Sequence, residues 1–136
     1  MPELSSRSDS FRIPKRRRHV PEARAQVRRI LKDWALDGEL AHDVTTVATE
    51  LVTNAVVHCR VTLSEIEVVL SIRGCGLLLE VSDPDKGKVP APRAEDEGGR
   101  GLTLVAGLAE RWGHEQRPFT KCVWAYFVNV PERSSR

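Results

Sequence analysis

The chain has 136 residues, of which 40% are hydrophobic and 29% charged, with a formal net charge of +2. That length predicts one domain able to bury a core without disulfide staples, and no apolar run approaches the roughly 20 residues needed to span a bilayer. Residues 1–20 hold six basic and two acidic side chains, and the remainder holds fifteen and seventeen. The folded body is therefore not a basic nucleic-acid surface, and only the run Lys15 to His19 offers one.

In chain order, residues 1–9 are rich in Ser and Arg and predict a disordered tail, and residues 131–136 form a tail at the other end. Residues 10–130 are then a single domain. Ser10 to Pro14 alternates polar and apolar residues and predicts a short edge strand. Pro21 suits the first position of a helix, with Val20, Ala23, Val27, Ile30, Leu31 and Trp34 on its apolar face and Asp37-Gly38 ending it.

A second helix runs from about Leu40 to His58, with Leu40, Val44, Val47, Ala48, Leu51 and Ala55 as its buried stripe. Glu50 and Asn54 fall on the edge of that stripe. Spaced i and i+4, they project from one side of the helix. Ile66, Val68, Leu70 and Ile72 mark a strand, Gly74-Cys75-Gly76 a turn, and Leu77 to Asp83 the return strand. By the period of two, Asp83 continues the face of Leu77, Leu79 and Val81, so an acid stands where the core side of the sheet opens.

Residues 84–99, with three prolines and three glycines, read as a loop long enough to be functional. A third helix is expected from about Arg100 to Ala109, then strands near Arg111–Arg117 and Lys121–Val128. This order predicts an α+β fold: a two-layer sandwich with a mixed, mostly antiparallel sheet and three helices on one face. The N-terminus has no apolar signal-like run. The cysteines, Cys59, Cys75 and Cys122, form neither a disulfide framework nor a CxxC pair. The expectation is a cytoplasmic chain with reduced thiols and no membrane segment. Trp34, Trp112 and Trp124 are expected to serve the core.

Several of these positions carry chemistry. A helix N-terminus preceded by glycines, as in "EGGRGL" (Glu97 to Leu102), offers backbone N–H groups and a positive dipole end to phosphate. An Asn oxygen is a hard ligand suited to Mg²⁺, which takes few protein ligands and prefers substrate phosphates. A neighbouring Glu can accept a hydroxyl proton in phosphoryl transfer. A partly buried Asp can accept a hydrogen bond from the exocyclic amine of adenine. Taken singly, Glu50 and Asn54 could bridge backbone, Asp83 could form a turn before Pro84, and the glycines could punctuate a loop. Jointly they describe a Mg–ATP site between a helical layer and a sheet. Gly87-Lys88 is followed by Val89 and makes no P-loop, and Gly99-Arg100-Gly101 lacks the third glycine of a dinucleotide fingerprint.

The sequence resembles the GHKL, or Bergerat-fold, ATP-binding domains shared by gyrase, histidine kinases and the MutL mismatch-repair protein. Within them it is most similar to the anti-sigma-factor serine kinases, especially the short actinobacterial ATP-binding regulators. The likeness runs from about Arg12 to Val128. "ATELVTNAVVH" resembles the N box, "LEVSDPDKG" the first glycine box, "GGRGLTLV" the second, and "TKCVWAYF" the closing strand. The resemblance implies Glu50 as general base, Asn54 as the Mg²⁺ ligand and Asp83 on adenine. It implies Gly87, Gly99, Arg100, Gly101, Leu102 and Cys122 as further ATP-binding residues, and residues 84–99 as the ATP lid. It also implies a sigma factor and an antagonist (anti-anti-sigma) protein as partners, and a homodimer through the first strand and helix. The chain departs from the pattern where Asp85 replaces the first glycine of its box, Cys122 a Thr, Thr120 a glycine and Cys59 a small residue. The alternative is a non-catalytic module of the same fold that acts by sequestering a partner.

Overall fold

Alternation writes the sheet. In the computed structural model, Ile66, Val68 and Leu70 of one strand and Leu77, Leu79 and Val81 of the next are buried on a common face, as a period of two requires. The structure describes residues 7–58, 64–83, 97–118, 120–128 and 130, with only the backbone of residues 58 and 97–102. The strands are β1 (Ser8–Pro14), β2 (Glu65–Arg73), β3 (Gly76–Asp83), β4 (Arg111–Gln116) and β5 (Lys121–Phe127). The helices are α1 (Val20–Asp33), α2 (Gly38–His58) and α3 (Glu97–Leu108), and a short 3₁₀ turn, Arg17–His19, precedes α1.

The strand order is β1-β2-β3-β5-β4, and every described pairing is antiparallel. This corrects the expectation of a mixed sheet. β3 and β4 run in the same direction, joined across α3, but β5 lies between them. The parallel pair that would have mixed the sheet never forms.

The helices cover one face. Val27, Ile30 and Leu31 of α1, Val44, Val47, Ala48, Leu51 and Val52 of α2, and Val105 of α3 share one buried cluster with Leu77, Leu79 and Val81 of β3. α1 packs on α2, and α2 packs on β3 and α3. Burial at about 25 cal/mol per Å² of apolar surface drives this assembly. Among the described residues no helix is long and apolar enough to cross a membrane.

Boundaries differ from expectation for local reasons. β1 starts at Ser8, two residues early, because pairing with β2 extends it (Ser8 lies opposite Ser71). α1 starts at Val20, with Pro21 in its first turn and Glu22 bound to His19 Nδ1 at 3.0 Å. It ends earlier than Asp37-Gly38. Leu36 N–H returns to the Leu31 carbonyl at 2.9 Å while Ala35 takes φ 61°, a left-handed stop more often built with glycine. Gly38, at φ 71°, opens α2. The basic run is partly folded away: Lys15 is buried, and Arg16, Arg17 and Arg18 are exposed.

Candidate functional site

The site begins with the two sides of α2. On one side the hydroxyls of Thr49 and Thr53 donate to the carbonyls of Thr45 and Thr49, at 2.8 and 2.7 Å. Arg24 Nε of α1 donates to Thr49 Oγ1 at 3.4 Å. This side meets α1, and its polar groups are spent within the helix pair. At ~100° per residue, Glu50 and Asn54 lie about 140° around the helix from Thr45 and Thr49 respectively. They are turned away from the Thr49–Arg24 contact, on a helix that α3 also packs against. Both are half-buried, above the buried Val47 and Leu51. Glu50 is nearer the outer crest, where it also borders a groove lined by Arg24, Arg28 and His42. Asn54 lies lower, nearer the core edge.

β3 delivers the second acid. Asp83 is its last residue and is 3% exposed. Cross-strand register sets Leu77 opposite Phe127, Leu79 opposite Ala125, Val81 opposite Val123 and Asp83 opposite Lys121. Directly opposed residues share a face, so Asp83 and Lys121 close the helix-covered row. Lys121 is itself only 7% exposed.

Cys122 is not brought to that place. It pairs with Ser82, one residue out of phase, and therefore points to the other face of the sheet. Its burial there has its own cause. Arg117 folds across the strands and donates to Glu80 at 2.9 Å and Glu115 at 2.7 Å. These bonds hold its guanidinium charged beyond the ordinary range. Burial pushes the Cys122 thiol pKa up, opposed by a hydrogen bond with Ser82 and by the Arg117 charge. Trp124 shares this outer face, lying over Gly113 where a Cβ would come within 2.8 Å of the ring. Of the three tryptophans, only Trp34 is buried in the core and Trp112 packs against it.

Sequence reasoning missed Lys121, although a signal was present. Val123, Ala125 and Phe127 mark the inward phase of β5, and the period of two carries it to residue 121.

Gly99, Arg100, Gly101 and Leu102 lie inside α3, which begins at Glu97 rather than Arg100. The glycines expected before the helix form its first turn, whose N–H groups have no partner within the helix. Gly87, Cys59 and residues 84–96 lie outside the described residues.

The elements that carry Glu50, Asn54, Asp83 and the second glycine box are thus neighbours: α2 packs on both β3 and α3. The donor chemistry fits the nucleotide. One amide oxygen and one nearby carboxylate suit a Mg²⁺ ion that keeps water and phosphate ligands, rather than an all-protein cage. A buried carboxylate at a strand end suits an amine donor.

A family model described as "Histidine kinase-like ATPase domain" matches residues 13–127. No protein of curated function matches the chain. Among solved structures, the chain is similar to the RsbU and RsbW domains of Rv1364c from Mycobacterium tuberculosis, with a TM-score of 0.70 and 15% identity. That match covers 93% of this chain and 33% of the other, so the chain spans a third of its length. It is similar to the SiaB–SiaC complex from Pseudomonas aeruginosa, with a TM-score of 0.61 and 14% identity over 88% of each chain. A histidine kinase domain from Erythrobacter litoralis, of the blue-light activated histidine kinase EL346, gives a TM-score of 0.52 at 19% identity over 68% of this chain and 45% of that one. At such identities the structures speak for the fold, while the family match spans nearly the whole sheet and all three helices: the chain belongs to the histidine kinase-like ATPases of the GHKL fold.

Proposed function

We propose that this protein is an ATP- and Mg²⁺-dependent serine/threonine protein kinase of the anti-sigma type, which binds a sigma factor and phosphorylates a serine on an antagonist protein. One observation carries the reading. Asp83 is buried at the end of the helix-covered row of β3, the strand against which the helix bearing Glu50 and Asn54 packs. Membership of an ATPase family supports ATP as the ligand. Likeness to an RsbW-containing chain and to a SiaB–SiaC complex supports a switch protein that works on a protein partner.

Magnesium–ATP, when bound, supplies the phosphoryl group. The chain's own residues do the rest. Asp83 accepts a hydrogen bond from the exocyclic amine of the base. Asn54 holds the cation through its side-chain oxygen. The first turn of α3, Glu97 to Arg100 and so including Gly99 and Arg100, offers free N–H groups to the phosphates, and Gly101 and Leu102 follow it in the proposed phosphate-binding set. Glu50 takes the proton of the attacking serine hydroxyl, which is why a half-buried carboxylate near the crest of α2 suits the role. Gly87 completes the proposed nucleotide-binding set.

The second reading, a binding module without transfer, draws on Asp85, which stands where the family pattern has glycine. Transfer of labelled phosphate from ATP to a partner serine separates the two. Wild type transfers, and Glu50→Ala drops the rate at least ~100-fold, the usual scale of a lost general base. Nucleotide binding without transfer by the wild type would establish the module instead.

A further inference from the structure

Lys121 is a buried cation that the proposed mechanism leaves unused. Lysines are rarely buried unless they serve a partner, yet this one is 7% exposed, directly opposite an acid that is 3% exposed. The pair forms the last rung of the β3–β5 ladder, on the helix-covered face, where β3 leaves the sheet and β5 enters it. Side chains so opposed start from Cβ atoms about 4.5–5.5 Å apart. The stems of an acceptor-only carboxylate and a three-donor ammonium are therefore neighbours at one end of the core.

Adenine presents the complementary edge: the exocyclic amine donates and the adjacent ring nitrogen N1 accepts. We propose that Lys121 is a base-reading residue that donates a hydrogen bond to N1 of adenine while Asp83 accepts from the exocyclic amine. The inference rests on the ATP-site reading above and deepens it. It replaces Cys122 with Lys121 as the β5 contact to the base, because Lys121 shares the face of Asp83 and Cys122 does not. It also supplies a selectivity. In inosine the 6-oxo group accepts and N1–H donates, so in the same pose the carboxylate meets an acceptor and the ammonium a donor. A site built to hydrogen-bond one edge rejects the other because buried polar groups are left unpaired.

Calorimetric titration of the intact chain with ATP, 1-deaza-ATP (amine kept, N1 replaced by C–H) and ITP tests this. Wild type is expected to bind 1-deaza-ATP about tenfold to hundredfold more weakly than ATP, and ITP more weakly still. Lys121→Met, checked for folding by circular dichroism, is expected to bind ATP as weakly as wild type binds 1-deaza-ATP, with no further loss on 1-deaza-ATP. Lys121→Arg, which keeps the cation, restores part of the difference. Such non-additivity belongs to a direct contact. If wild type binds ATP and 1-deaza-ATP equally, the Lys121–N1 contact is wrong while the ATP site stands. Equal weakening of both ligands by Lys121→Met makes Lys121 structural and overturns the proposal in the same way. No binding of any adenine nucleotide by wild type removes both the inference and the reading beneath it.

Discussion

Two adjacent rungs of one ladder have opposite fates. Ser82 faces Cys122 and Asp83 faces Lys121, and all four residues are buried. On the outer face, Ser82 bonds with the thiol, and Arg117, held by Glu80 and Glu115, folds over the strands beside them. That side is sealed by its own ion pairs. On the inner face, an acid and a base sit beneath the helical layer at a strand end, on the side where α2 carries Glu50 and Asn54. Burial alone therefore does not mark a site. On the outer face the buried polar groups bond to one another across three strands, whereas on the inner face they end the strand against which the helix bearing Glu50 and Asn54 packs, which is why the proposed site is placed there.

Breaking the inner rung carries the largest expected effect. Asp83→Ala removes the proposed acceptor for the exocyclic amine. ATP affinity measured by calorimetry is expected to fall at least ~100-fold, the scale of a lost charge-assisted hydrogen bond in a buried site, while the far-ultraviolet circular dichroism stays that of a folded chain.

Breaking the outer seal has the reverse signature. Arg117→Ala deletes both ion pairs and leaves Glu80, whose side chain is 16% exposed, without its guanidinium. Because the arginine is 38% exposed, solvent screening limits the cost to about 1–2 kcal/mol, read as a lower urea midpoint. ATP affinity is expected to change less than about threefold. A large loss of affinity here would erase the distinction between the two rungs.

The smallest effect comes from Cys122→Thr, a change on the sealed face. Stability at neutral pH is expected to move by about 1 kcal/mol or less, because the threonine hydroxyl can take over the hydrogen bond with Ser82, with ATP affinity unchanged. The difference shows in alkali. Burial raises the thiol pKa in the folded state above its ordinary value of 9.0. The neutral thiol's contribution is therefore intact below that value and is lost as pH climbs through the folded-state pKa. Cys122→Thr flattens this alkaline limb in a series of urea melts across pH. An unchanged limb would assign it to other groups.

The periodicities carried much of this. A period of 3.6 located α2 and put Glu50 and Asn54 on one flank, and a period of two aimed Asp83 inward. Both are local consequences of backbone geometry, so the residues alone suffice. The same rule, applied to Val123, Ala125 and Phe127, also points to Lys121. The likeness of "TKCVWAYF" to a family strand points to Cys122 instead, because resemblance aligns letters and does not report faces.

Other features depended on contacts between residues distant in the chain. Nothing local to β5 dictates that it inserts between β3 and β4, which makes the described sheet wholly antiparallel and sets Lys121 opposite Asp83. Nor does the sequence near Gly98 say that α3 captures its glycines as a first turn. Nothing in α2 by itself tells which of its sides meets α1. Strand order and register are chosen by which arrangement buries the apolar faces together and satisfies the backbone polar groups. The sequence determined which side chains point inward along each element. Tertiary packing alone decided which of them face one another, because that choice is made by the energy of the assembled core.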